Sequence, residues 1–278
     1  MSPSTSAVRV VGVTMLTPPR YPPRPRTDTT RLRGTRRRPS QVRKQAYSRE
    51  VETDHVAAER RLLDEALQSG ASALDVGCGR TTRLRFFRDR IARLVGADPD
   101  EAAGRENPFL DEFVVAGAEE LPFQQASFDL VYANFVVEHL ERPDRALAEF
   151  ARVLRPDGRL VVVTTNRANP FMWIADALPN AARIAVKRGG AGVDDRDVYP
   201  TRYLANTPDA LASATRAAGF APVAVEYVAT LHRYVARLPG AGTVLRTAER
   251  ALPARRRSTI VGSYRRVDDA SPAGVRIL

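Results

Sequence analysis

Ala73-Leu74-Asp75-Val76-Gly77-Cys78-Gly79 sets a short apolar run directly against a Gly-x-Gly turn, with Thr81 and Thr82 opening the next element. The run reads as a buried strand. Glycines let a backbone approach a ligand closely, and the free amides at the start of the next element favour anionic or polar groups. Alone, a Gly-x-Gly is weak. Its neighbours decide its meaning.

Outward from it, residues 51–68 carry Val56, Leu62, Leu63, Ala66 and Leu67 on one helical face. Residues 81–91 read as a helix. Residues 94–98, 113–116, 128–133 and 160–164 read as further short apolar strands, and 145–154 has Ala146, Leu147, Phe150, Val153 and Leu154 at helical spacing. Arg155-Pro156-Asp157-Gly158 then stops that helix, because proline cannot continue it and Asp-Gly favours a turn. Strands apolar throughout and separated by helices indicate a parallel sheet covered on both faces. The right-handed crossover makes it doubly wound α/β, with ligands at the carboxyl ends of the strands.

Past Asn166 the pattern loosens over residues 167–206. Order returns at Thr207-Pro208, an N-cap with proline in the first turn, leading a helix to Ala218 and Gly219. Residues 220–230 and 259–267 read as two more strands, flanking a helix over 242–251. With the five before them, they bring the count of strands to seven.

Asp98 ends the second strand, where a carboxylate can accept from both hydroxyls of a ribose. A dinucleotide site is the first rival, yet its third glycine is absent at Thr82. The segments Leu74-Asp75-Val76-Gly77-Cys78-Gly79, Val95-Gly96-Ala97-Asp98-Pro99, Ala118-Glu119-Glu120-Leu121-Pro122-Phe123, Ser127-Phe128-Asp129-Leu130-Val131, Glu138-His139-Leu140 and Val153-Leu154-Arg155-Pro156-Asp157-Gly158 occur in that order. Together they resemble the class I S-adenosylmethionine (SAM)-dependent methyltransferases of the ubiquinone/menaquinone-biosynthesis-like (type 11) group. The resemblance covers roughly residues 55–166 and implies a Rossmann-like seven-stranded sheet with an antiparallel final strand.

The resemblance also implies roles. Asp75 and the backbone of Gly77, Cys78 and Gly79 would hold the methionine end of SAM. Asp98, followed by Pro99, would take the ribose. The Ala118 amide and Glu119 would lie at the adenine edge, and Asn134 would face the methionine portion by its backbone. Two positions depart from the family: Thr81 stands where a third glycine is frequent, and Gly117 where Asp is frequent. Cys78 reads as a small buried spacer in the cofactor turn, since a thiol there has no substrate to attack.

His139, just past the fourth strand, is the candidate general base; packing is its alternative role. His55, His139 and His232 lie too far apart in sequence to suggest a metal site. Asn134-Phe135-Val136-Val137 lacks the Pro-Pro-aromatic signature of enzymes that methylate nucleic-acid amino groups, which argues against nucleic acid as substrate. The segment 167–206 is the expected substrate cover, with Phe171, Trp173, Tyr199 and Tyr203 as apolar walls.

Charge needs placing before it means anything. The chain has 278 residues and a formal charge of +11, but residues 1–50 hold twelve basic groups against two acids. That leaves 31 basic against 30 acidic groups in the rest, so the body is nearly neutral. With seven of the twenty prolines, residues 1–45 read as a disordered leader, ahead of one domain over 46–278. One cysteine excludes a disulfide framework and fits a cytoplasmic protein. No apolar run approaches the ~20 residues that span a bilayer. These observations imply a SAM-dependent enzyme acting on a small molecule, glycan intermediate or secondary metabolite. The alternative is a SAM-binding regulatory or scaffold protein without turnover.

Overall fold

In the computed structural model, residues 54–177, 200–235 and 240–267 are described; the leader read over 1–45 and Tyr199 lie outside them. Helix α1 (Asp54–Ala66) precedes β1 (Ala71–Val76), β2 (Ile91–Asp98), α2 (Glu101–Arg105), β3 (Glu112–Val115) and β4 (Phe128–Asn134). Then come α3 (Pro143–Val153), β5 (Leu154–Thr165), α4 (Pro170–Ala177), α5 (Pro208–Ala217), β6 (Phe220–Val228), α6 (Ala241–Ala251) and β7 (Thr259–Arg266). The strands form one sheet in the order β3-β2-β1-β4-β5-β7-β6. All pairs from β3 to β5 are parallel, while β7 runs antiparallel to both β5 and β6.

Side-chain alternation divides the interior in two. Leu74 and Val76 of β1 face a core with Val131, Ala133, Leu147, Phe150 and Leu211. Ala73, Leu130, Tyr132 and Val161 face the opposite core, closed by Leu63 and Leu67 at the end of α1. Asp75 has the parity of Ala73, so β1 delivers its carboxylate to the α1 side of the sheet. Arg90 fixes that helix from below. Its guanidinium donates to the carbonyls of Asp64 and Leu67, and its own carbonyl accepts from Gly70 and Ala71. Those bonds satisfy carbonyls that the end of a helix leaves open.

Three local readings change. The helix expected over 81–91 is only a 3-10 turn, Arg83–Phe87, because Ile91 already belongs to β2. Thr82 starts the turn early, its Oγ1 accepting from the Leu84 amide at 3.0 Å. Second, β5 begins at Leu154, and Arg155-Pro156-Asp157-Gly158 forms an irregularity within it rather than a loop before it. There the register jumps from Phe128↔Leu154 to Leu130↔Arg159, and Asp157 takes φ 62. Third, α4 interrupts the segment read as irregular; Asn169 Oδ1 accepts from the Phe171 amide at 2.9 Å at its start. No helix among the described residues is long and apolar enough to cross a membrane.

Candidate functional site

The carboxyl ends of β1, β2 and β4 converge on the glycine turn. Gly77 has φ 69, and a Cβ there would stand 2.5 Å from Val136 Cγ2, so only glycine fits. The Gly77 amide donates to Ala97 O at 2.8 Å, and Gly79, at φ 47, donates to Asp98 Oδ2 at 2.8 Å. Asp98 Oδ1 accepts from the Asp100 amide at 2.8 Å, so this nearly buried carboxylate ties the turn to the end of β2. Pro99 beside it is exposed. Asn107 Nδ2 supports the turn from beneath, donating to the carbonyls of Cys78 at 3.2 Å and Gly79 at 3.1 Å. Cys78 is buried against Gly96, where an added Cβ would meet its sulfur at 2.7 Å. Burial first, then the charges of Asp75 and Asp98, push its thiol pKa far above the usual range, which suits a spacer and not a nucleophile.

Beside the turn lies a cavity of about 210 Å³, lined by Asp75, Gly77, Thr81, Thr82, Arg83, Arg85, Tyr132 and Asn134. Asp75 is 2% exposed. Its carboxyl is pushed up to about 8, chiefly by burial; a hydrogen bond with Thr82 lowers it, and the charges of Asp98 and Glu59 raise it. Glu59, buried on α1, accepts from the Tyr132 hydroxyl at 2.5 Å. Asn134 Oδ1 is a buried acceptor with no hydrogen-bond partner among the described residues. A larger cavity, about 920 Å³, lies at the amino ends of the parallel strands, among Gln68, Asp129, Arg159 and Arg265. Open α/β sheets bind ligands at the carboxyl ends, and there the smaller cavity meets the glycine turn.

The mouth of the site is strained and tied down. Phe135 follows Asn134 at φ 54, and its ring meets His55 edge-on at 6.2 Å. Arg233 Nη1 approaches His55 Nε2 at 3.3 Å. His139 Nδ1 lies 2.8 Å from Pro200 O; a carbonyl only accepts, so Nδ1 carries the hydrogen and Nε2 is the basic nitrogen of the neutral ring. Its neighbour Glu138 is buried and accepts from Thr164 at 2.8 Å and Thr165 at 2.9 Å. The Glu138 carbonyl takes the amides of Arg202 and Tyr203, which joins the turn after β4 to the segment around 202.

The remaining residues singled out from the sequence lie around this centre. Ala118 is half-buried against the core. Glu119 Oε1 accepts from the amides of Glu141 at 2.9 Å and Arg142 at 2.6 Å, at the start of α3. Phe171 is half-buried, whereas Trp173 is 67% exposed with its indole donating to Arg167 O at 3.0 Å. Tyr203, at φ 56, lies under the Arg167 guanidinium at 4.8 Å. Among the described residues no cluster of His, Cys, Asp and Glu is arranged to hold a metal ion. Glu59 and Asn107 carry no signal in the sequence, where apolar spacing and turn residues mark their segments and neither side chain belongs to those patterns.

The methyltransferase domain family (type 11) matches residues 74–162. The ubiquinone/menaquinone biosynthesis C-methyltransferase UbiE of Hahella chejuensis is 34% identical over 168 residues, 55% of this chain and 66% of that protein. This chain belongs to the class I SAM-dependent methyltransferases. In this methyltransferase family SAM is the methyl donor. A second relative, the malonyl-[acyl-carrier protein] O-methyltransferase of Pectobacterium atrosepticum, is 30% identical over 42% of this chain and 48% of its own length. The chain thus spans about half to two thirds of these two relatives. Among solved methyltransferases, the geranyl diphosphate C-methyltransferase of Streptomyces coelicolor A3(2) has a TM-score of 0.53 at 15% identity. It covers 77% of this chain and 79% of its own, a likeness of fold alone.

Proposed function

We propose that this chain transfers a methyl group from SAM to an oxygen, nitrogen or carbon of a small molecule, glycan intermediate or secondary metabolite. The observation that carries the proposal is the cavity beside Gly77, where a buried acid and an unsatisfied acceptor meet a turn closed to any side chain. Both features suit SAM. Asn134 Oδ1 offers a buried acceptor to an ammonium group, and Gly77 lines the same cavity with backbone that carries no side chain. Asp75, with the turn from Gly77 through Cys78 to Gly79, takes the methionine end in this proposal. Asp98 takes the ribose, with Pro99 beside it, and the Ala118 amide and Glu119 the adenine edge.

When bound, SAM supplies an electrophilic methyl on a cationic sulfur. The acceptor atom forms the new bond to that carbon as the carbon–sulfur bond breaks, and the electron pair stays on sulfur as a neutral thioether. The protein's own work is alignment and exclusion of water. Where the acceptor is a hydroxyl or amine, its proton passes to His139 Nε2, whose ring the Pro200 carbonyl orients through Nδ1. Phe171, Trp173 and Tyr203 belong to the proposed substrate cover over about 167–206, within a domain taken to run from 46 to 278. A cytoplasmic setting is part of the proposal, supported by the buried free thiol of Cys78.

Calorimetric titration with SAM and with S-adenosylhomocysteine tests the site. Incubation of labelled SAM with cell extract tests transfer. Binding together with a labelled product supports the enzyme. A second function, SAM binding without turnover, draws on Gly117 and on the use of Glu119 Oε1 at α3. Binding with no labelled product in any extract would favour it.

A further inference from the structure

Thr81, just past the glycine turn, has a structural partner. Its Oγ1 accepts from Arg85 Nη1 at 2.5 Å, and the Thr82 carbonyl accepts from the same nitrogen at 3.1 Å. The Arg85 guanidinium also stacks on Phe86 at 4.4 Å and approaches the Phe109 ring at 5.3 Å. Four groups therefore hold one cation at the rim of the cavity. Because the segment is a 3-10 turn, Leu84 and Phe87 take its buried side, and Arg83 and Arg85 line the cavity. The charge of Arg83 reaches the cavity floor, where it opposes the upward push of burial on the Tyr132 hydroxyl.

The cavity thus joins one carboxyl, Asp75, and one unsatisfied carbonyl oxygen, Asn134 Oδ1, to two guanidinium groups. That is the complement of an α-amino-acid head group, which carries an ammonium and a carboxylate on one carbon. We propose that Arg83 and Arg85, the latter fixed by Thr81, form a clamp for the methionine carboxylate of SAM, opposite the ammonium partners Asp75 and Asn134. Planar guanidinium forks match carboxylate geometry, and charge-assisted bonds of this kind are the strong ones. The clamp rests on SAM as the occupant. It also gives Thr81 a purpose, since its hydroxyl orients the Arg85 guanidinium.

Decarboxylated SAM, which lacks only the α-carboxylate, is the discriminating probe. Without a clamp, Asp75 would favour the decarboxylated analogue, since that ligand is one charge more positive. With it, calorimetry on the full chain should show SAM bound roughly 10- to 100-fold more tightly. In the double variant R83Q/R85Q, SAM should weaken by a similar factor, while the analogue stays within about threefold of its original affinity. T81G should shift SAM in the same direction by a smaller factor. Equal affinity of the unaltered protein for both ligands overturns the clamp before any variant is made. So does a double variant that melts normally yet loses both ligands alike. An unaltered, folded protein that binds neither ligand overturns the SAM site itself and the clamp with it.

Discussion

Asp75 is a buried carboxyl that lines the cavity. Burial holds its carboxyl at about 8 against an ordinary 3.8, so the folded protein keeps a proton the unfolded chain has lost. Between about pH 4 and pH 8, stability therefore declines as pH rises, and D75N should melt at a higher temperature than the parent at pH 8. Ligand binding should show the reverse dependence. Affinity for SAM should climb toward pH 8 as Asp75 ionises, then fall as the ligand's own α-amino group, near 7.7–8.0, loses its proton. D75N should remove the rising limb and weaken SAM at least about tenfold at pH 8; calorimetry across pH reads both. Gly117 invites the opposite experiment. An added Cβ there meets nothing within 4 Å, and the family resemblance implies an Asp at this position. G117D should tighten SAM binding by roughly 3- to 10-fold without changing the melting temperature.

Elements differ in how openly their sequences announce them. Thr207-Pro208 opens α5 as its residue types require, with Thr207 Oγ1 accepting from the Ala210 amide at 3.2 Å. T207A should cost about 1 kcal/mol in chemical denaturation, with the SAM affinity unchanged. The strands are legible because runs such as Leu160-Val161-Val162-Val163 are buried on both faces, and no other structure accommodates them so briefly. The turn after Thr82 is not, because Leu84 and Phe87 give the same apolar spacing to one 3-10 turn as to a full helix. Polar members of α1 stay hidden for a different reason. Glu59 looks like any solvated glutamate until Tyr132, distant in sequence, is brought to its oxygen. Likewise, Asn107 gains its role only when β2 and α2 carry it beneath the turn. The site residues on strand ends can be read from local pattern; those acting across the sheet cannot.

At the scale of the whole chain, charge and chemistry are separable. The basic excess of residues 1–50 precedes a body of nearly balanced charge. Removing residues 1–45 should leave the affinity for SAM and the melting temperature as they were, because every residue lining the cavity lies between 75 and 134. A truncated protein that no longer binds SAM would show the leader to be part of the site. The segment over 167–206, the proposed substrate cover, has a simple attachment. The Arg167 amide donates to Asn206 O at 2.7 Å, so the chain leaves β5 and returns at almost one point. Asn166 holds the exit, donating to the carbonyls of Arg255 and Arg257, and Asn206 holds the return through Thr164 and the Thr165 carbonyl. An excursion closed at its base leaves the sheet unaware of its length. A change of length between residues 177 and 200 should therefore leave these closing bonds, and the contacts of Pro200, Arg202 and Tyr203 with the turn after β4, as they are. In the proposed enzyme, a different acceptor would then require changes in that stretch and none in the residues assigned to the donor.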